Sequence, residues 1–141
     1  MMSDTAWLWK YDEKIRSEPE DGVATIRKLL EQLELHCWPE KDVFGIHMAM
    51  EEAVMNAIKH GNQSLPDKQV HIRLTLTEAD FYAQITDQGT GFNPDDVPDP
   101  TAEENLEKFS GRGLMLIRNF VDRIQYNDVG NSIELFKAKT K

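Results

Sequence analysis

The feature that most constrains the fold is a change of hydrophobic period near residue 70. Upstream, apolar residues recur roughly every three to four positions, which is the spacing of one helix face. Downstream, apolar and polar side chains alternate, which is typical of a half-buried strand; the apolar members are Val70, Ile72, Leu74 and Leu76. A second strand is predicted for residues 81–86, and the short link at 77–80 predicts a β-hairpin.

Two helices are predicted upstream of this hairpin. Ser17 and Glu20 have the spacing of a capping box, in which a serine N-cap is followed three residues later by a glutamate. The apolar residues behind them recur at helical spacing, and we expect this first helix to end before Cys37. The second helix is predicted for residues 40–60, with a Gly-Asn stop signal at 61–62.

The remaining segments complete a two-layer architecture. Residues 6–15 are interpreted as an edge strand or an extended arm, residues 114–121 as a helix, and residues 123–127 and 132–138 as two closing strands. Helices on one face of a mixed, mostly antiparallel sheet form a two-layer α/β sandwich of the α+β class. A chain of 141 residues suits one domain, residues 1–141, with one core.

The composition of the chain excludes some classes of function. The net charge of −9 disfavours binding to a nucleic-acid backbone, although it permits a pocket for one nucleotide and a basic protein partner. The single cysteine, Cys37, is interpreted as a small apolar filler, and one cysteine forms no internal disulfide. We find neither a signal-peptide pattern nor a run of about 18 apolar residues, so the expected location is cytoplasmic, away from membranes.

One face of the second helix is polar. Met48, Glu52, Asn56 and Lys59 fall within a sector of about 80° if each residue turns the helix by about 100°. A solvated surface would explain this face, but Asn56 is a poor helix former that a plain surface does not require. A functional interpretation makes Glu52 a general base, the Asn56 amide oxygen a magnesium ligand and Lys59 a phosphate contact. Taken alone, the pattern leaves both interpretations open.

Two glycine-rich segments indicate where a nucleotide would bind. The segment DQGTGF, residues 87–92, lacks the third glycine and the following helix of a dinucleotide-binding fingerprint. It is either a simple turn or a base-recognition site in which Asp87 accepts a hydrogen bond from the adenine amino group. The segment GRG, residues 111–113, precedes an apolar helix, where backbone N–H groups can bind phosphate, although a simple turn fits equally well.

In this order the segments resemble the three boxes of the GHKL (Bergerat-fold) ATPase superfamily, and most closely those of the anti-sigma-factor serine/threonine kinases of the RsbW type. EAVMNAIKH at residues 52–60 is similar to the N box, DQGTGF to the G1 box, and GRGLMLI at residues 111–117 to the G2 box. The resemblance extends over about residues 17–137. It implies ATP and magnesium as ligands, and an ATP lid at about residues 91–112.

The resemblance also implies roles for individual residues. Glu52 would be the catalytic base, Asn56 the magnesium ligand and Asp87 the adenine acceptor. The other implied nucleotide contacts are the remaining box residues and the first residue of the last strand: Lys59, His60, Gly89, Gly91, Phe92, Gly111, Arg112, Gly113, Leu114 and Ser132. For His60 a structural role fits the sequence as well as a nucleotide contact does.

The function implied by the resemblance is partner switching. The expected protein is an ATP-dependent serine/threonine kinase that acts as an anti-sigma factor, phosphorylates an anti-sigma-factor antagonist and regulates transcription. A sigma factor is the second expected partner, and the family suggests a homodimer. The alternative is a non-catalytic ATP-binding switch that sequesters a regulatory protein. A histidine-type sensor kinase fits less well, because none of His36, His47 and His71 lies in a phospho-acceptor helix pattern.

Overall fold

The structure is a computed structural model that describes residues 7–89, 117, 120–127 and 131–140. Five strands, two α-helices and a short π-helix lie within these ranges. In chain order they are β1 (Trp9–Arg16), α1 (Pro19–Leu35), α2 (Glu40–Asn56), the π-helix (Ala57–Gly61), β2 (Gln69–Leu76), β3 (Asp80–Thr86), β4 (Arg123–Tyr126) and β5 (Ser132–Ala138). Of the helix predicted for residues 114–121, Ile117 and Phe120 are helical, and residues 114–116, 118 and 119 lie outside the described ranges.

The five strands form one sheet in the order β1-β2-β3-β5-β4, and each neighbouring pair of these strands is antiparallel. The first strand lies at one edge, which confirms the edge-strand alternative for residues 6–15 over the extended arm. β2 and β3 form the predicted hairpin, in which the Thr77 backbone N–H donates to the Asp80 carbonyl oxygen at 2.9 Å. The alternation in β2 is fully reflected in burial, because its apolar residues are buried and its polar ones are exposed or partly exposed.

The two α-helices pack on the face of the sheet that carries these buried apolar residues. Leu29 and Leu33 of α1 and Ile46 and Met50 of α2 are fully buried in the same core cluster as the inward-facing side chains of β2 and β3. Each such side chain stabilises the fold by about 1.5–3 kcal/mol relative to an exposed position. The predicted two-layer sandwich, with helices on one face of the sheet, is confirmed.

Helix α1 begins without the predicted capping box. Its N-cap is Glu18, whose side chain makes no capping hydrogen bond, and Pro19 occupies the first helical position, where a missing N–H costs little. Ser17 is buried, and its hydroxyl donates to the Lys68 carbonyl oxygen at 2.7 Å. The capping prediction was wrong because a contact distant in sequence uses the hydroxyl that a local cap would need.

The same helix ends where predicted, in a Schellman motif. The Trp38 backbone N–H donates to the Leu33 carbonyl oxygen at 3.0 Å, and the Cys37 N–H donates to the Glu34 carbonyl oxygen at 3.1 Å. Cys37 takes a φ of 57°, in the left-handed region that favours glycine. Its side chain is exposed, so the interpretation of Cys37 as an apolar filler was wrong.

Helix α2 does not continue in α-helical form to residue 60. It ends at Asn56 and gives way to the π-helix, where the Asn62 N–H bonds to the Ala57 carbonyl oxygen at 2.9 Å, five residues back. Gln63 and Ser64 follow with left-handed φ values of 53° and 54°. The predicted stop at residues 61–62 is confirmed, but the widened last turn was not predicted. Such π-segments are frequent at functional sites.

Candidate functional site

The polar face of α2 presents two side chains without internal partners. Glu52 and Asn56 lie one turn apart on this helix, and both are partly buried. Residues at this spacing have Cβ atoms about 5–6 Å apart. Within the described part of the chain, neither side chain forms a hydrogen bond or an ion pair, whereas the neighbouring Glu51 lies 3.5 Å from His47. The Glu52 carboxylate and the Asn56 amide are therefore available to a ligand.

The next polar residues along the chain lie not on α2 but on the π-helix. Its hydrogen bonds reach five residues back, so each residue turns the chain less than in an α-helix. The sector of about 80° that aligned Lys59 with Asn56 assumed α-helical rotation throughout. The α-helix ends at Asn56, so this rotation applies as far as Asn56 and does not extend to Lys59. Lys59 and His60 are both exposed.

Asp87 follows β3, and its carboxylate packs against the end of the π-helix. A Cβ on Gly61 would lie 2.2 Å from the Asp87 carboxyl carbon, so only a glycine permits this approach. Carboxylate Oδ1 accepts a hydrogen bond from the Gly89 N–H at 2.8 Å. Burial raises the pKa of Asp87, and the bond from Gly89 and the charge of Lys68 offset this only in part. The segments resembling the N and G1 boxes thus meet in space.

Gly89 approaches the same point from the other side. A Cβ at this position would lie 2.1 Å from the Gly61 carbonyl oxygen. The two glycines therefore let the end of the π-helix and the turn after β3 come into direct backbone contact, with the Asp87 carboxylate held between them.

The structure does not bring the Ser132 hydroxyl to this point. Ser132 pairs with Thr86 across β3 and β5, and their hydroxyl oxygens are 2.8 Å apart. Adjacent residues of a strand face opposite sides of the sheet, so Ser132 lies on the face away from the helices, whereas Ile133 is in the core. Asn131 instead contacts Asp87: its carbonyl oxygen accepts from the Asp87 N–H at 2.8 Å, and its Nδ2 donates to the Asp87 carbonyl oxygen at 3.3 Å.

Asn62 is a residue of this region whose role the sequence did not reveal. It is fully buried, its Oδ1 accepts from the Gln88 N–H at 2.7 Å, and its Nδ2 donates to Ser17 Oγ and to the Gln69 carbonyl oxygen, both at 2.9 Å. These partners lie on three separate segments. The sequence pattern identified Asn62 only as a helix stop signal, and no local pattern shows that its side chain links them.

The predicted lid at about residues 91–112 lies outside the described residues. So do six of the predicted nucleotide contacts: Gly91, Phe92, Gly111, Arg112, Gly113 and Leu114. Within the described ranges, no cluster of three or more His, Cys, Asp or Glu side chains could hold a metal ion. The Asn56 amide oxygen, partly buried and without a partner in the described ranges, could serve as a protein ligand of a magnesium ion, with water and phosphate oxygens in the other positions. This is a usual arrangement for magnesium at nucleotide sites.

A match to a known family agrees with this layout. Residues 15–137 match the profile of the family described as "Histidine kinase-like ATPase domain". The chain therefore belongs to the histidine kinase-like ATPase domain family.

Its relatives in this family include anti-sigma factors. The anti-sigma F factor of Bacillus cytotoxicus is 37% identical over 103 residues, which cover 69% of this chain and 70% of that protein. The anti-sigma F factor of Halalkalibacterium halodurans is 33% identical over 102 residues, covering 68% and 69% of the two chains. The resemblance to GHKL ATPases of the anti-sigma-factor type is thereby confirmed.

The fold also has a counterpart among solved structures. The crystal structure of the RsbU and RsbW domains of Rv1364c from Mycobacterium tuberculosis aligns with a TM-score of 0.62 over 93% of this chain and 32% of that longer chain. The sequence identity is 14%, so this likeness concerns the fold alone, and it confirms the predicted GHKL-type sandwich. None of the helices described here combines the length and the apolar character needed to cross a membrane.

Proposed function

We propose that this protein is an anti-sigma factor that is also an ATP-dependent serine/threonine kinase. It would phosphorylate an anti-sigma-factor antagonist, release or retain a sigma factor accordingly, and so regulate transcription in the cytoplasm. The names of its relatives support the anti-sigma function. The observation that carries the catalytic part is the pair of partly buried side chains, Glu52 and Asn56, without partners in the described ranges. They lie on α2, and the π-helix that continues it meets Asp87 at Gly61.

In this proposal Asp87 selects adenine. Its carboxylate accepts a hydrogen bond from the adenine amino group, whereas guanine presents an acceptor oxygen at that position and is repelled. The bond from Gly89 fixes the carboxylate, and Gly61 leaves room for it. Because the pKa of Asp87 is raised, the carboxylate takes up a proton at a higher pH than an ordinary aspartate. We therefore expect ATP affinity to fall as the pH falls through the pKa of Asp87 in the folded protein.

The phosphates would lie between the end of α2 and the G2 box. Lys59 and His60 are exposed at the π-helix, and the Lys59 ammonium can reach a phosphate as a point charge. The backbone of Gly111, Gly113 and Leu114 and the side chain of Arg112 are proposed to bind the phosphates as well. Gly91 and Phe92 would begin a lid that extends over about residues 91–112 of a single domain, residues 1–141.

The proposed reaction is transfer of the γ-phosphoryl group of ATP to a substrate hydroxyl. As the hydroxyl oxygen bonds to the γ-phosphorus, the bond to the β–γ bridging oxygen breaks, ADP leaves, and Glu52 takes the hydroxyl proton. Asn56 would hold magnesium one turn further along α2. When bound, magnesium neutralises charge that develops on the phosphate oxygens. The protein's own contribution is to place the base, the metal ligand and the adenine acceptor on rigid, packed elements.

The kinase assignment is tested with labelled ATP and a purified candidate antagonist. Glu52→Gln keeps the shape of the side chain but removes the base, so we expect phosphotransfer to fall about 10²–10⁴-fold while ATP still binds. Glu51→Gln is the matched control, because Glu51 is an exposed carboxylate on the same turn. Wild-type rates in Glu52→Gln would remove Glu52 from the mechanism.

The same assay separates the kinase from the alternative, a non-catalytic switch. If the wild-type protein binds ATP and the antagonist but transfers no label, its function is ATP-dependent sequestration of a regulatory protein. If the label appears as a stable phosphohistidine on this chain, a histidine-type kinase is the correct assignment. Sedimentation with and without ATP would test the homodimer that the resemblance suggests.

A further inference from the structure

Asn62 has no role in the function proposed above, yet its side chain bonds to the backbone next to Asp87. We propose that Asn62 is a positioning residue: it holds the turn after β3 so that the Asp87 carboxylate faces the nucleotide and discriminates adenine from guanine. This inference rests on the proposed function, because it assigns a determinant of specificity to the same ATP site.

The peptide group between Asp87 and Gln88 is held at both of its polar atoms. Its N–H donates to Asn62 Oδ1 at 2.7 Å, and its carbonyl oxygen accepts from Asn131 Nδ2 at 3.3 Å. A peptide group bound at both ends cannot rotate freely, so the backbone torsion that follows the Asp87 Cα is fixed. That torsion decides whether the Gly89 N–H reaches the Asp87 carboxylate, as it does at 2.8 Å.

Of the two hydrogen bonds to this peptide group, the one with Asn62 is the stronger. Asn62 is fully buried, whereas Asn131 is partly exposed and its bond is longer. A hydrogen bond away from water is electrostatically stronger than one at the surface. Asn62 is itself held in orientation by its two donor bonds, to Ser17 and Gln69, so its Oδ1 is aimed at the Gln88 N–H.

A purely structural role for Asn62 makes a different prediction. A satisfied buried amide stabilises the fold, and its loss would then lower stability without changing which nucleotide is preferred. A positioning role changes the ratio of the dissociation constants for GTP and ATP, because that ratio depends on the orientation of the Asp87 carboxylate. The ratio is therefore the quantity to measure.

The experiment is calorimetric titration of ATP and GTP, with magnesium, into the wild-type protein and three variants. Asn62→Ala removes the acceptor, and we expect the Kd(GTP)/Kd(ATP) ratio to fall about tenfold, the factor that one hydrogen bond commonly contributes. Asn62→Asp keeps an oxygen for the Gln88 N–H but loses both donor bonds, so we expect a ratio between those of the wild type and Asn62→Ala, and a lower thermal midpoint. Ser17→Ala is the matched control: it removes one bond to Nδ2 but none to Gln88, and should also retain the ratio.

A folded Asn62→Ala protein with the wild-type ratio would overturn the inference, as would an equal loss of the ratio in Ser17→Ala. If the substituted chains do not fold, hydrogen exchange on the wild-type protein tests the inference instead. The Gln88 amide should exchange slowly without nucleotide, and exchange at the rate of an unprotected amide would overturn the inference. Absence of ATP binding to the wild-type protein would instead refute the proposed function, and this inference with it.

Discussion

Replacing Asp42 with alanine should destabilise the protein by about 3 kcal/mol. Asp42 lies in the first turn of α2, and its side chain is only 1% exposed. Its carboxylate accepts from the Thr140 N–H and the Thr140 hydroxyl, both at 2.7 Å, and lies 3.5 Å from the Lys137 ammonium. This cluster joins the end of the sheet to the helix that carries Glu52 and Asn56.

The magnitude follows from these contacts. Hydrogen bonds to a charged group contribute about 1.5–3 kcal/mol each, and breaking a buried ion pair costs about 3–5 kcal/mol. Thr140 is exposed and regains water when Asp42 is removed, so we expect a value at the lower end of that range. For a chain of this length, 1 kcal/mol shifts the thermal midpoint by about 3 °C, so the midpoint should fall by about 9 °C.

The loss of stability in Asp42→Ala should also depend on pH. Burial alone would raise the pKa of Asp42, but the bonds from Thr140 and the charge of Lys137 outweigh it and lower the pKa below its ordinary value. A carboxylate with a lowered pKa stabilises the folded state above its unfolded pKa of about 3.9, and this stabilisation is lost as the pH falls through the folded value. The difference in thermal midpoint between the wild type and Asp42→Ala should therefore be largest at neutral pH and decrease in acid.

The assay is thermal unfolding followed by circular dichroism, at neutral pH and at successively lower pH values. Asp12→Ala is the control, because Asp12 pairs with His71 and Arg73 on a surface where its side chain is 60% exposed. Its substitution should have a much smaller effect, since exposed ion pairs are screened by water and salt. An Asp42→Ala midpoint no lower than that of Asp12→Ala would refute the reasoning.

Three further substitutions test other parts of the structure. Cys37→Gly should raise stability by about 1 kcal/mol, because the left-handed φ of 57° strains any residue with a Cβ; a lower thermal midpoint would contradict this. Gly61→Ala should weaken ATP binding in calorimetry and cost about 1–3 kcal/mol of stability, because the added Cβ displaces the Asp87 carboxylate; wild-type affinity would contradict it. Asp87→Asn should weaken ATP binding yet raise stability at neutral pH, because the raised pKa of Asp87 means that its charged form opposes folding. That gain should grow as the pH rises through the folded pKa of Asp87, and a gain that is constant with pH would contradict it.

The sheet and the helices were predictable because burial on one side imposes a period on the sequence. In β2, placing Val70 and Ile72 in the core fixes every second residue, so the strand and its facing side follow from the pattern. Ser132, by contrast, was assigned as a nucleotide contact from the resemblance and not from this alternation. The alternation in β5, with Ile133 and Leu135 in the core, places Ser132 on the opposite face of the sheet.

The contacts that shape the site could not be read from local sequence. Asn62 resembles any helix stop until its partners at Ser17, Gln69 and Gln88 are known, and these lie far apart in the chain. The π-helix leaves no distinct pattern of apolar residues over five positions, and Gly61 looked like an ordinary terminator. Gly61 leaves space for the Asp87 carboxylate because it has no Cβ, and this becomes evident only from the packing between the π-helix and the turn after β3.

The central claim, a magnesium-dependent ATP site built on Asn56 and Asp87, is tested most directly by calorimetry. ATP with magnesium would be titrated into the wild-type protein and into Asn56→Ala, with GTP as the control nucleotide. Alanine is a better helix former than asparagine, so the variant should stay folded. We predict that the wild-type protein binds ATP in preference to GTP, that binding requires magnesium, and that Asn56→Ala loses it. No binding to the wild-type protein, or equal binding to Asn56→Ala, would contradict the claim.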